Sequence, residues 1–497
     1  MANFKPSVYQ QAVYDFIKDE SGNAVINAVA GSGKSTTIVN ALSMIPTNKK
    51  VLFLAFNVDI KKELEAKVKK LKLSNVDVST LHSLGFKSML RVFKSKVADD
   101  KYTSYFNERF NDKNDNEFKT TRQLSEEDNS EYFSNVRKLL DLLRVNLANK
   151  NQDIEELVYK HNIRIVDNEI KLVGECINWG IQHPQMVDFT DMIYLPCIKK
   201  LHMPQYDFVF IDECQDLNTA QRTLFMSCVK AEEGRWIAVG DVRQAIYGFC
   251  GGDADSFNKL KNSPNTITLP LSICYRCDEN IIKLAQSIVP QIQWREGAEK
   301  GEVNRNCKID DVKSGDMVLC RVTAPLVRLG MKYISQGVKA NIKGRDIGIN
   351  LINLIKKTKK KTMSGVLYSL QMELDKIAHK VMERTHCNKE EAKESPLYQS
   401  HLDKIQSIKA LSNDSKNPQE VINRIIEIFS DEQEGIILST VHKSKGLEAD
   451  RVFIICEDKL PLSWAMKIDW MAEQEWNLVY VAITRAKHFL GYIKDFE

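Results

Sequence analysis

AVAGSGKS, Ala28 to Ser35, lies between the apolar run AVIN (24–27) and the run TTIVNAL (36–42), and its reading decides the fold. It matches the phosphate-cradling pattern GxxxxGK[ST], with Ala28 in place of the first glycine. Gly31 and Gly33 let backbone amides turn inward on phosphates, Lys34 can reach the β and γ phosphates, and the Ser35 hydroxyl can bind magnesium. Ala30, Ser32 and Thr36 complete the set expected to touch a nucleotide. Working outward, residues 6–20 have amphipathic helical period, VLFLAF (51–56) reads as a buried strand, and DIKKELEAKVKKL returns to helical period. Strand and helix alternating in this way predict an α/β unit built on a largely parallel sheet.

FVFIDECQD, Phe208 to Asp216, supplies the complementary half. An apolar strand ending in Asp212 and Glu213 places carboxylates at the carboxyl end of a sheet, where open α/β folds bind ligands. Asp212 would share the magnesium ion with Ser35, and Glu213 would orient and deprotonate an attacking water. Hydrolysis of a nucleotide needs both.

At 497 residues the chain is too long for one core. Its 43% hydrophobic and 27% charged residues suit a globular protein, and no run approaches the ~20 apolar residues that span a bilayer. The start, MANFKPSVYQQAVYDF, lacks the order of a signal peptide, so a cytoplasmic location is expected, with no membrane partner. Eleven scattered cysteines fit reduced thiols; Cys274 and Cys277 have CxxC spacing but no second metal pair. A net charge of +4 is too small to diagnose a nucleic-acid partner, although KKTKKK (356–361) gathers five cations, as a solvated helix face also would.

The rhythm breaks twice. Residues 83–184 carry helical spacing around a polar stretch, NERFNDKNDNEFKTTRQLSEEDNSEY, expected to hold a mobile loop. Residues 346–430 are helical, charged and poor in strand signal, and NTITLPL reads as the opening strand of a second α/β unit. The expected division is a first motor domain of 1–82 and 185–268 with insertion 83–184, then a second of 269–345 and 431–497 with insertion 346–430.

These segments, taken in order, resemble the UvrD/Rep-like branch of superfamily 1 helicases. PSVYQQAV is similar to the family's adenine-reading segment, which implies that Gln10 reads the base. VLFLAFNVDIKKEL and STLHSLG resemble strand-contacting segments, implying DNA contacts at Phe56, Asn57, Thr80 and His82; DFTDMI (188–193) resembles the segment leading back into the first motor. SICYRCDENI implies that Tyr275 stacks on adenine and Arg276 reaches the γ phosphate. STVHKSKGLEADRVFI implies a ribose contact at Glu448, with Thr440, His442 and Lys443 toward the strand or the coupling path. EWNLVYVAITRAK implies a second γ-phosphate arginine, Arg485. GDVRQAIYGFCGG (240–252) resembles the segment that senses ATP through Gln244 and meets bases through Tyr247 and Phe249; ring stacking contributes ~1–3 kcal/mol per base and tolerates any sequence.

The resemblance implies two RecA-like P-loop motor domains, each interrupted by a mainly helical insertion. It implies a monomer that uses ATP and Mg2+ to translocate 3′ to 5′ on single-stranded DNA and to open single-strand/duplex junctions, working with replication or recombination proteins. The small second insertion and the ten residues after Lys487 are similar to compact, phage-type members. Two other readings stay open: a DNA- or RNA-stimulated translocase that removes proteins and unwinds poorly, and a nucleotide-switched binding module. Fixed cations opposite a departing phosphoryl group serve hydrolysis rather than mere binding, which separates the last.

Overall fold

The computed structural model describes residues 5–111, 126–148, 151–160, 163, 167–246, 255–413, 415–429 and 434–494. The chain divides into two compact units, Met1–Ala28 with Gly33–Leu271, and Val29–Ser32 with Ser272–Glu497. No described helix is long and apolar enough to cross a membrane.

The first unit opens with α1 (Val8–Asp19), whose start is a capping box between Ser7 and Gln10. Then come β1 (Asn23–Ala28), α2 (Lys34–Leu42), β2 (Val51–Ala55), α3 (Val58–Lys70), β3 (Val76–Thr80) and α4 (Leu81–Phe93). Among the described residues four helices follow as an excursion: α5 (Lys101–Asn111), α6 (Glu126–Asn146), α7 (Asn151–Lys160) and α8 (Asp167–Gln182). The chain returns through α9 (Asp191–Ile198), β4 (Phe208–Ile211), α10 (Thr219–Met226), β5 (Arg235–Gly240), α11 (Ser256–Lys261) and β6 (Thr266–Leu271). The six strands of the main sheet are parallel, in the order β3-β2-β4-β5-β1-β6.

The inner strands β1, β2, β4 and β5 read as largely apolar runs because both faces of the sheet are covered there. Ala24, Ile26, Phe53, Phe210 and Val239 enter one core, while Val25, Leu54, Val209 and Ala238 enter the other. One sequence expectation is corrected here: NTITLPL does not open the second unit. Its strand, β6, pairs with β1 from Asn23↔Thr266 to Ala28↔Leu271 and forms the edge of the first sheet, a position that tolerates Pro270. Within the polar stretch expected to hold a mobile loop, 107–111 and 126–132 are helical, and 112–125 lie outside the described residues.

The second unit contains α12 (Glu279–Ala285), β7 (Glu302–Cys307), β8 (Met317–Cys320), α13 (Thr323–Ser335) and β9 (Ala340–Ile342). A helical excursion follows: α14 (Arg345–Lys357), α15 (Met363–Thr385), α16 (Lys389–Lys393), α17 (Pro396–Leu411) and α18 (Pro418–Ile428). It closes with β10 (Ile436–Thr440), β11 (Ala449–Ile455), α19 (Asp469–Ile483) and β12 (Ala486–Ile493). This sheet is also parallel, in the order β7-β12-β11-β8-β10-β9. The ten described cysteines are free thiols, Cys274 and Cys277 among them.

Candidate nucleotide and nucleic-acid sites

In the first unit, β1 points at the turn that starts α2. Gly33 caps that helix at φ 76, a left-handed conformation that glycine adopts without strain, and Lys34 is its first residue. Ser35 and Thr36 are exposed in the first turn, where helix amides are free to bind an anion. The Gln10 amide is buried and donates to Thr37 Oγ1 at 3.0 Å, tying α1 to α2; neighbouring Gln11 is exposed and bonds Asp15.

Lys34 Nζ lies 2.9 Å from Glu213 Oε1. Burial alone would lower its proton affinity, but Glu213, then Asp212 and Asp241, hold the ammonium well above the ordinary lysine range. Asp212 follows β4 and accepts from the Glu213 amide at 2.9 Å; Glu213 itself sits at φ 53, an uncommon conformation for a side-chain-bearing residue. The carboxylate of Glu213 also accepts from Gln215 Nε2 at 2.5 Å. Gln215 Oε1 in turn accepts from the Asp241 amide at 3.1 Å, and Gln244 Nε2 donates to Asp241 Oδ2 at 2.7 Å. Thus a polar chain runs Lys34–Glu213–Gln215–Asp241–Gln244, partly exposed at Lys34 and Glu213 and buried from Gln215 onward. Burial raises the Asp241 carboxyl, against the pull of Lys34 and the Gln244 bond. Gly240 is small for a reason: a Cβ there would stand 2.3 Å from Gln215 Oε1.

Sequence reading did not single out Gln215 or Asp241. The only signal was their place in DECQD and GDVRQ beside residues it did assign. Tyr247 and Phe249, the proposed stacking rings of that second segment, lie outside the described residues.

The strand-contacting candidates of this unit lie beyond β2 and β3. Phe56 is 41% exposed. Asn57 and Thr80 are each occupied as helix caps, accepting from the Ile60 amide at 2.9 Å and the Ser83 amide at 3.2 Å. His82 stacks on Phe189, centroids 3.7 Å apart, and burial pushes its pKa down to about 4, so the imidazole is neutral at pH 7. Phe189 is 61% exposed, the sort of ring on which a base can lie, and sequence reading missed it. Its signal was an aromatic between the acids of DFTDMI. Gly85 lets α4 approach α9, since a Cβ there would meet Met192 O at 1.9 Å.

In the second unit, Val29–Ser32 pack with the segment after β6. The Ala30 amide donates to Tyr480 Oη at 2.9 Å, and the Tyr275 amide donates to Gly31 O at 2.8 Å. Ser32 Oγ is buried without a hydrogen-bond partner, an orphaned polar atom that a phosphate oxygen would satisfy. Tyr275 is 40% exposed. Arg276 Nε is ion-paired with Glu448 Oε2 at 2.5 Å, so two side chains read as contacting different parts of a nucleotide here hold one another. Burial opposes ionisation of Glu448, but Arg276 and Lys487 keep its carboxyl below the ordinary range. Arg485 is fully buried and donates to the carbonyls of Val481 and Leu447, each at 3.0 Å; burial, and then Arg276, push its pKa down to about 10.

Thr440 closes β10 and accepts from the Lys443 amide at 3.3 Å; Lys443 Nζ pairs with Asp346 at 2.8 Å. Burial, then Arg321 and Lys443, push His442 down to about 3.

Residues 10–265 match the UvrD/REP helicase N-terminal domain, and residues 435–491 match the UvrD-like helicase C-terminal domain. The chain is 24% identical over 310 residues to a probable DNA helicase II homolog of Mycoplasma genitalium, covering 57% of this chain and 43% of that protein. It is 26% identical over 287 residues to the ATP-dependent DNA helicase Rep of Buchnera aphidicola, covering 54% and 41%. Against F-box DNA helicase 1 of Gallus gallus it is 24% identical over 522 residues, covering 97% of this chain and 48% of that one. The chain therefore spans about half the length of the curated relatives it matches. With the first domain alone covering more than half of its residues, the chain belongs to the UvrD/Rep helicase family.

Proposed function

We propose that this chain is an ATP-dependent DNA helicase that moves 3′ to 5′ along single-stranded DNA. The reading rests on one observation above the others, the hydrogen-bonded polar chain from Lys34 through Glu213, Gln215 and Asp241 to Gln244. A binding module needs the lysine but has no use for a carboxylate held against it and wired to a second loop. In this reading the two motors are residues 1–82 and 185–271, and 272–345 and 431–497, with 83–184 and 346–430 as their insertions; the first motor runs on to Leu271, past the expected 268, because β6 pairs with β1.

Ser35 and Asp212 offer the hard oxygen donors that suit Mg2+, which when bound neutralises phosphate charge. Gly31, Ser32, Gly33 and Lys34 take the phosphates, Gln10 and Tyr275 the adenine, and Glu448 the ribose. Glu213 orients the water and accepts its proton, which requires the bond to Lys34 to open so that the lysine can turn to phosphate. Arg276 and Arg485 stabilise the departing charge, Arg276 after leaving Glu448. Phe56, Asn57, Thr80, His82, Thr440, His442 and Lys443 meet the strand, with Tyr247 and Phe249. The chain works as a monomer in the cytoplasm or nucleoid, beside replication or recombination proteins.

The test is ATP turnover with and without single-stranded DNA, paired with strand displacement on duplexes tailed at either end. Stimulation by DNA and opening only from a 3′ tail are expected. Turnover indifferent to DNA would sink the reading, and stimulation without displacement would leave a protein-removing translocase.

A further inference from the structure

A groove of about 930 Å³ lies between α13 and the helices α17 and α18 of the second unit, and none of the residues assigned above lines it. Arg328, Met331, Lys332 and Ser335 face it from α13 at spacings of three, four and seven, one stripe of a helix. Gln406, Lys409 and Ala410 present the matching stripe of α17, Asn413 lies just past its end, and Arg424 comes from α18. Arg424 is anchored, donating to Leu411 O at 2.9 Å and Asn413 O at 2.7 Å. Arg328, Lys332 and Lys409 are exposed, and among the described residues no carboxylate pairs with them. No Asp or Glu lines the groove; Asp403 of α17 instead accepts from the amides of Thr323 and Ala324 at the far end of α13.

Cations in the last turn of a helix often only offset its dipole, and Lys332 and Lys409 occupy such positions. Each helix end carries roughly half a negative charge, so two ends consume about one of the four cations and leave a surplus of about three. A surplus of fixed positive charge in a concave site recruits an anion of matching multiplicity. The lining is not only charged: Met331, Ile334 and Ala410 add an apolar strip, with Ile334 37% exposed, and Gln406, Asn413 and Ser335 add neutral hydrogen-bonding groups. Repeating phosphates beside apolar sugar and base faces match that mixture better than a bare inorganic anion does.

We infer that this groove is a second nucleic-acid contact, binding the phosphodiester backbone away from the strand-contacting loops. The inference builds on the helicase reading, since it supposes that nucleic acid is the protein's substrate.

The experiment uses the full chain carrying Arg328→Gln, Lys332→Gln and Lys409→Gln, with the single Lys409→Glu variant as a second probe of the same exposed surface. Binding of a tailed DNA duplex is followed as salt rises, and ATP turnover is measured with a short single-stranded oligonucleotide. The expected result is a log-log salt slope shallower by about one for each cation removed, and at least ~10-fold weaker binding at low salt. Oligonucleotide-stimulated turnover should stay at the unmodified level. An unchanged salt slope in both variants overturns the assignment. So does loss of thermal protection by inorganic tripolyphosphate with duplex binding intact, which would make the groove a site for a small polyphosphate. If the unmodified chain's turnover ignores the oligonucleotide, the helicase reading fails by itself, while the salt slopes still report on the groove.

Discussion

The two helical insertions are built alike and fastened differently. That of the first unit has a core of its own, in which Tyr102, Phe106, Leu139, Leu143, Leu172 and Cys176 pack apart from both faces of the sheet. It is latched to α9 by buried charge: Lys101 lies 2.6 Å from Asp191, and Arg144 lies 2.9 Å from both Asp191 and Asp188. Tyr102 Oη adds a 3.0 Å bond to Asp191, and the Arg144 guanidinium stands 4.3 Å over the Tyr102 ring. In the second unit, Leu370, Leu374, Ile408 and Ile425 of the insertion share one continuous apolar core with Val318, Ile342 and Leu438 of the sheet. An ionic latch fixes geometry through direction and fails as a unit, whereas an apolar seam yields in proportion to the surface lost.

Breaking the latch has the largest expected effect. Arg144→Met strands the buried Asp191 and Asp188 against Lys101 alone and should cost about 3–5 kcal/mol in urea unfolding. A loss below ~1 kcal/mol would mean that water already shields the cluster. Next comes the seam: Ile425→Ala should cost about 2–5 kcal/mol, and amide exchange should quicken in α18 and β10 together. Exchange confined to the insertion would show that the shared core does not act as one body.

The smallest effect is a pH dependence beside the latch. His82 is held neutral, with a pKa near 4 against 6.5 for the free side chain. Between these values the unfolded chain binds more protons than the folded one, so stability rises with pH across that window and is lost on acidification. His82→Asn should flatten that slope in thermal melts between pH 4 and 6.5. A slope unchanged in the variant would assign it to other groups.

Much of the first site was legible because its chemistry is local. Gly33, Lys34 and Ser35 are contiguous, and Asp212 and Glu213 follow a four-residue apolar strand, so spacing alone placed them at sheet ends. Gln215 and Asp241 were not legible, because their importance arises only where β4 and β5 become neighbours and an amide can span the gap. The strand β6 was misassigned for a related reason: a parallel edge strand looks the same in sequence whichever sheet it joins.

The sequence by itself determined the phosphate turn, the alternation that makes both parallel sheets, the presence of two helical insertions and the order of motifs, all set by residue type and near-neighbour spacing. Only the tertiary structure decided which polar groups hold one another. Arg276 with Glu448, Lys34 with Glu213, Arg144 with Asp191 and His82 over Phe189 are pairs far apart in the chain. A buried charge or ring takes whatever partner the packing brings within reach, and reach is a property of the fold.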